Sequence, residues 1–328
     1  MSNINNGQSK STMKAIDGKH IINSTEKQTK SAFLAIMGLA NAGKSTLLNT
    51  LTGDKIAAVT PKPQTTRTRI TGIVTKAETQ FVFIDTPGVI PHAKNKLNEQ
   101  MNRTVREARS DADVILFIAD MTRKTSETEQ SLIAKFGETE NVILLLNKID
   151  AVKDKGRIAE RIDVLSKLYS FTDIIPISAK NGEGIDELWA EIEKFAVTAP
   201  HFFPDDKITD RSEQSLASEM IRERLMMNLD DEIPHGIAVG IEKFAERQTR
   251  TGEDILDIEA VVFCERDSHK GIIIGKKGAL LKKIGEEARA SLESFFRIKV
   301  NLKLWVKVKE DWRNREQIIN TILNDKEI

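Results

Sequence analysis

Short apolar runs alternate with amphipathic segments from residue 31 to about residue 195. The runs at 33–37, 69–76, 80–84, 114–119, 141–146 and 173–177 predict strands. Between them, apolar residues at helical spacing predict helices at 45–51, 97–109, 127–136, 157–169 and 185–195. Such alternation predicts an α/β domain with a mostly parallel sheet and helices on both faces. The second and third strands are too close in sequence for a crossover helix, so they should pair antiparallel at one edge.

Beyond residue 198 the pattern changes. Pro200 and Pro204 interrupt it, and 199–208 reads as a linker. A helix at 210–229, strands at 236–246 and 255–265, a helix at 279–296 and a strand at 299–309 follow. This α-β-β-α-β order predicts a small α+β domain over 209–328, after an α/β domain over 31–198. Residues 1–30 are polar and aperiodic and read as a disordered tail.

Composition narrows the classes. A chain of 328 residues with 40% hydrophobic content can build two cores. Lys+Arg and Asp+Glu are both 49, which excludes attachment to nucleic acid by bulk charge alone. One cysteine, Cys264, excludes a disulfide framework or a multi-cysteine zinc site and reads as a core residue. No run approaches the ~18 apolar residues of a membrane span. The first 30 residues lack both the apolar stretch of a secretory signal and the arginines of a transit peptide, so a cytoplasmic chain is expected.

The chemistry begins at Gly38-Leu39-Ala40-Asn41-Ala42-Gly43-Lys44-Ser45, a full G-x-x-x-x-G-K-S phosphate loop between a predicted strand and helix. Gly38 and Gly43 let backbone N–H groups wrap phosphates, with Ala42 and Thr46 in the same contacting set. Lys44 should reach the β- and γ-phosphates, and the Ser45 hydroxyl should ligate Mg²⁺. Asn41 is a candidate ligand for K⁺ beside the phosphates. Asn147-Lys148-Ile149-Asp150 follows a buried-type strand. The Asp150 carboxylate can accept from the N1–H and 2-amino group of guanine, two donors that adenine lacks. Ser178-Ala179-Lys180 could complete that pocket.

Asp85-Thr86-Pro87-Gly88 ends the third strand. Asp85 can hold Mg²⁺ through water, and the Gly88 N–H can contact a γ-phosphate. In the mobile-looking loop 61–68, Thr66 is the first choice and Thr65 the second for a residue that covers Mg²⁺. Lys44, Thr66, Asn41 and Gly88 form the expected catalytic set. Val89 stands where Ras-like enzymes carry a water-orienting Gln, which predicts slow unassisted hydrolysis.

In the second domain, Gly275-Lys276-Lys277-Gly278 follows His269, Lys270 and an apolar run. A G-x-x-G loop can clamp single-stranded nucleic acid, its glycines admitting the backbone and its lysines neutralising phosphate. Between Glu265 and Arg313 there are thirteen Lys/Arg against seven Asp/Glu, a local excess in a neutral chain. Lys303, Lys307 and Lys309 share, or nearly share, one strand face. Phe295-Phe296 and Met226-Met227 read as core.

The order of phosphate loop, Thr65-Thr66-Arg67, Asp85-Thr86-Pro87-Gly88, Asn147-Lys148-Ile149-Asp150 and Ser178-Ala179-Lys180, followed by a KH-like stretch, resembles the Era GTPase family. The interdomain stretch from Phe203 to Ser212 and the segment Leu304 to Lys309 resemble it too. The resemblance implies a P-loop GTPase domain followed by a type II KH domain. It also implies GTP/GDP with Mg²⁺, and a monomer acting in 30S subunit maturation by binding the 3′ end of small-subunit rRNA. The RNA contacts would come from Lys270, Gly275, Lys276, Lys277 and Gly278. Peripheral contact with the inner face of the cell membrane is implied for some members. Two departures stand out: Leu39-Ala40-Asn41-Ala42, where the family more often has Arg-Pro-Asn-Val, and the extra tail. The alternative is a regulatory GTPase acting on a protein or membrane partner, with the KH-like domain as scaffold.

Overall fold

The computed structural model describes residues 28–90, 93–231, 233–316 and 318–319. Residues 1–27 of the expected tail lie outside the described residues. The N-terminal domain orders β1 (Lys30–Gly38), α1 (Lys44–Thr52), β2 (Ile70–Lys76), β3 (Thr79–Asp85), α2 (Lys96–Ser110), β4 (Val114–Asp120) and α3 (Glu127–Ile133). It continues with β5 (Val142–Asn147), α4 (Gly156–Ser166), β6 (Asp173–Ile177), α5 (Ile185–Ile192) and the short β7 (Val197–Thr198).

The sheet order is β2-β3-β1-β4-β5-β6, with β7 paired to β1. Strands β3, β1, β4, β5 and β6 run parallel, while β2 is the expected antiparallel edge. Every position of β3, β4 and β5 is buried, because helices cover both faces. Alternation sends Leu34, Ile36, Leu116 and Ile118 into the core under α1 and α5. It sends Ala35, Ile115, Phe117 and Leu144 into the core on the opposite face. The carboxyl ends of β1, β3, β4 and β5 therefore converge on one rim, where such sheets bind ligands.

The second domain comprises α6 (Glu213–Asn228), β8 (Ala238–Gln248), β9 (Asp254–Cys264), α7 (Asp267–Ile274), α8 (Ala279–Phe296) and β10 (Lys299–Val308). Its sheet order is β10-β9-β8, with β8 antiparallel and β10 parallel to β9. The expected α-β-β-α-β order gains a helix, α7. Its Ile272-Ile273-Ile274 run has poor intrinsic helix propensity, yet one turn of it packs Ile273 into the core beneath α8. Cys264 is buried there as expected. Phe295 and Phe296 pack edge-to-face, 5.0 Å apart, against the same core.

The domains meet extensively. Ser212 caps α6, accepting from the Ser215 amide at 3.2 Å. Helix α6 sends Leu216 to the first core and Met220, Ile221 and Leu225 to the second. Leu97 and Met101 of α2 join Val261, Phe263 and Trp312 in a shared cluster. The linker runs along the edge hairpin: the Gln80 side chain accepts from the Phe202 and Phe203 amides at 2.8 and 3.0 Å. The Ile73 amide donates to Ile208. Among the described residues no helix is long and apolar enough to cross a membrane.

Candidate nucleotide site and nucleic-acid loop

The phosphate loop turns between β1 and α1 with Gly38 and Gly43 at φ 150° and 108°. A Cβ on Gly38 would stand 2.5 Å from the Ile118 carbonyl oxygen, and one on Gly43 would collide with the Asn147 amide. Glycine is therefore required for close approach, beyond its backbone freedom. Asn41 also adopts positive φ, and its amide donates to the Pro61 carbonyl at 2.5 Å, tying the phosphate loop to the 61–68 segment. Lys44 is buried, with Nζ donating to Leu39 at 3.0 Å and Gly38 at 3.3 Å. Burial lowers its pKa against the counter-pull of Asp85.

Three oxygens converge beneath this loop. Ser45 Oγ donates to Asp85 Oδ2 at 2.7 Å and lies 2.7 Å from Thr66 Oγ1, which is 3.3 Å from the same carboxylate oxygen. Asp85 is fully buried and its Oδ1 has no protein partner. Burial raises its pKa to about 6, with Lys44 and the Ser45 and Thr66 hydroxyls pulling the other way. Two hydroxyls and a carboxylate with an open oxygen are a hard donor set that fits Mg²⁺. Of the two candidate threonines, Thr66 reaches this cluster, whereas Thr65 turns its hydroxyl to Thr60 at 2.7 Å. Gly88 approaches the loop so closely that a Cβ would lie 3.0 Å from Ala40 Cα. Val89 is half-buried against the apolar core and offers water no polar atom.

The base side is equally knitted. Asn147 donates to the Ala42 carbonyl at 2.8 Å and accepts from the Ala179 amide at 2.9 Å. It thus locks the phosphate loop to the 178–180 segment. Ser178 Oγ donates to Asp150 Oδ1 at 2.7 Å and orients that exposed carboxylate. Lys148, at φ 70°, donates to the Asn41 carbonyl and to Asp120 Oδ2, both at 2.7 Å. Sequence reasoning missed Asp120, although an acid ending the buried strand β4 was the available signal. Thr46 lines the phosphate cleft, and Lys180 is exposed beside the base segment. Met227, expected in a core, instead lines the phosphate cleft and is 49% exposed; Met226 alone is buried. A Met at the end of α6 follows the helix period into the adjacent domain, which sequence cannot reveal.

In the second domain, the Gly275–Gly278 turn joins α7 to α8, with Gly275, Lys277 and Gly278 all at positive φ. Lys276 and Lys277 are exposed and Lys270 is half-buried. Beside the turn, Gly278, Leu281, Gly285, Leu302 and Leu304 line a groove together with the charged Lys282, Glu286 and Arg289. The strand lysines lie elsewhere. Lys303 and Lys307 alternate with the groove leucines onto the opposite sheet face, paired to Glu259 at 3.1 Å and Glu242 at 2.7 Å. Lys309 Nζ sits 4.5 Å from the Phe263 ring centre. Their shared face is therefore a cross-strand ion-pair surface and does not line the groove.

Comparison with known proteins agrees with this geometry. Residues 33–148 match the model of a 50S ribosome-binding GTPase family, and residues 232–313 that of a KH domain. The chain is 44% identical over 294 residues to GTPase Era of Ruminiclostridium cellulolyticum, covering 89% of this chain and 97% of that protein. It is 45% identical over 299 residues to GTPase Era of Clostridioides difficile, covering 90% and 99%. Aquifex aeolicus Era bound to GDP·AlF4⁻ superposes with a TM-score of 0.85 at 37% identity, over 90% of this chain and 99% of that one. An Era complexed with MgGDPNP and nucleotides 1506-1542 of 16S ribosomal RNA matches at the same score and identity, over 90% and 98%. A P-loop GTPase domain and a KH domain, joined in this order and alike over nearly their whole length, make this chain a member of the GTPase Era family.

Proposed function

We propose that this chain is a guanine-nucleotide switch that hydrolyses GTP to GDP and phosphate. Its KH domain binds the single-stranded 3′ end of small-subunit rRNA, and the switch assists 30S subunit maturation. The observation that carries the reading is the exposed Lys276–Lys277 turn beside a groove of leucines and charged side chains, in a chain that also holds the Ser45–Thr66–Asp85 cluster. Exposed lysines serve the phosphates, and the groove's leucines and polar side chains receive unstacked bases.

In this reading Lys44 and the loop amides from Asn41 to Thr46 cradle the phosphates, and the Gly88 N–H donates to the γ-phosphate. Ser45, Thr66 and Asp85 would hold Mg²⁺, which when bound would neutralise phosphate charge. Asp150, held by Ser178, accepts from the guanine N1–H and 2-amino group, with Ala179 and Lys180 closing the pocket. The Asn41 side-chain oxygen would be the ligand for K⁺ as an additional counter-charge. With Val89 in place of a polar side chain, unassisted turnover is slow.

We assign 31–198 to the GTPase domain, 199–208 to the linker and 209–328 to the RNA-binding domain. The protein acts as a cytoplasmic monomer with peripheral contact at the inner membrane face. The test is affinity for the rRNA 3′ end with a non-hydrolysable GTP analogue, with GDP, and in a Lys276→Asp/Lys277→Asp variant. Nucleotide-dependent binding that the variant loses supports the reading. Binding no better than to scrambled RNA in every state refutes it.

A further inference from the structure

Residues of the second domain hold the loop that carries Thr66 at several points, Asp230 on Lys62 at 3.2 Å and Arg211 on the Thr68 hydroxyl among them, and three buried anchors lie nearer its middle. Glu223 on α6 accepts the Val59 amide at 3.0 Å and the Lys55 ammonium at 2.5 Å. Arg222, its neighbour, donates to the Thr65 carbonyl. Arg67, on the loop itself, donates to the carbonyls of Pro234, His235 and Ile237 at 3.1, 3.0 and 2.5 Å. Arg67, Arg222 and Glu223 are all buried. Charges withdrawn from water in this way hold fixed geometries, because losing a partner strands the other.

Thr66 sits between two of these anchors. The carbonyl of the residue before it accepts from Arg222, and the residue after it is Arg67. With both flanking positions fixed, the φ/ψ freedom that could swing the Thr66 hydroxyl away from Ser45 and Asp85 is small. Arg222 is itself preorganised one turn along α6. Glu219 takes its Nε at 2.9 Å and Nη2 at 2.5 Å, and the Met226 sulfur lies 3.0 Å from Nη1. A strut meant only to join two domains needs no particular end point. This one ends on the backbone beside the residue that completes the hydroxyl–carboxylate cluster. Helix α6 is also joined to α8 through Asn228 and Glu287 at 2.7 Å, so the contact lies between the two candidate sites.

We infer that Arg222 is a positioning residue for GTP hydrolysis, supplied by the second domain. Its guanidinium, locked by Glu219, fixes the Thr65–Thr66 peptide so that the Thr66 hydroxyl stays over Ser45 and Asp85. The inference rests on the reading of Thr66 as a Mg²⁺ ligand.

The test is steady-state GTP hydrolysis by the full-length protein across a Mg²⁺ titration. The variants are Arg222→Gln, Arg222→Lys, Glu219→Gln, Thr66→Ala and the double Arg222→Gln/Thr66→Ala, with GDP affinity and thermal melting as controls. Arg222→Gln should lower kcat about tenfold and raise the Mg²⁺ needed for half-maximal rate, with KM for GTP and GDP affinity within about twofold. Arg222→Lys should recover part of the loss. In the Thr66→Ala background Arg222→Gln should cost less than about twofold more, because both act through one hydroxyl. Should Arg222→Gln melt early, Glu219→Gln, which keeps the guanidinium but frees it, should still raise the Mg²⁺ requirement. Wild-type Mg²⁺ dependence in the Arg222 and Glu219 variants, or an undiminished Arg222→Gln loss in the Thr66→Ala background, would overturn the inference while leaving Thr66 as a ligand. Wild-type rate and Mg²⁺ dependence in Thr66→Ala itself would refute the ligand reading, and the inference with it.

Discussion

Asp85 accepts the Ser45 hydroxyl at 2.7 Å through Oδ2 while its Oδ1, fully buried, has no protein partner. That half-satisfied carboxylate is where pH should act. Burial raises its pKa to about 6. As pH falls through that value it takes up a proton and ceases to be a good cation ligand. Mg²⁺ affinity should therefore be retained above about pH 7 and weaken progressively below about pH 6. Calorimetric Mg²⁺ titrations across that range check this, and Asp85→Asn should be weak and pH-independent. Without Mg²⁺ the sign for folding is opposite. A carboxyl with a raised folded pKa favours the fold at low pH, and that contribution is lost as pH rises toward 6.

The second prediction concerns the base. Ser178 holds Asp150 at 2.7 Å so that its carboxylate faces outward as an acceptor. Asp150→Asn replaces one acceptor with a donor and should cut GTP affinity by on the order of 10⁴. Xanthine nucleotides, with a carbonyl in place of the 2-amino group, should bind the variant better than GTP does. Competition with a fluorescent nucleotide reads both. A variant that still prefers GTP would place base recognition elsewhere.

Gly43→Ala puts a methyl group onto the Asn147 amide at a backbone φ of 108°. Asn147 joins the phosphate loop to the 178–180 segment through Ala42 and Ala179, so displacing it disturbs both halves of the site. Nucleotide affinity should fall at least about a hundredfold, while strain costs the fold about 1–3 kcal/mol. Equilibrium denaturation beside nucleotide binding separates the two effects. Stability loss with unchanged affinity would contradict the assignment.

The groove predicts a face-specific effect on RNA. Leu304 lines it, whereas Lys303 is paired to Glu259 on the other side of the same strand. Leu304→Ser should weaken single-stranded RNA binding by about 1–2 kcal/mol, within the scale of uncovering a leucine side chain, and Lys303→Ser should change it little. Lys276→Asp/Lys277→Asp should instead flatten the salt dependence of binding, by about 1.4 in the log–log slope for two lost phosphate contacts. Filter binding over a salt series distinguishes the two kinds of contact. Equal losses from Leu304→Ser and Lys303→Ser would place the RNA on another surface.

Much of this protein was already legible in local pattern. Phosphate contact needs glycines at fixed spacing between a strand and a helix, and Gly38 to Ser45 supply that within one turn of chain. The all-apolar runs of β4 and β5 announce strands buried on both faces, and the short 76–80 connection announces the antiparallel edge. These features depend on neighbours a few residues apart, and so sequence by itself determined them. Other features depend on residues far apart in the chain. The sequence already ranks Thr66 ahead of Thr65, but the approach of its hydroxyl to Asp85 follows from how the loop is pinned between α6 and the 234–237 turn. Helix α7 exists because Ile273 finds the second core, and Lys303 and Lys307 leave the groove because strand alternation pairs them with glutamates on β8 and β9. Arg222, Met227 and Asp120 carry no motif; each matters through a partner 28 to 157 positions away or through a cleft built by the other domain. Tertiary structure alone decided these, because a buried charge or an exposed methionine takes its meaning from what packing sets against it.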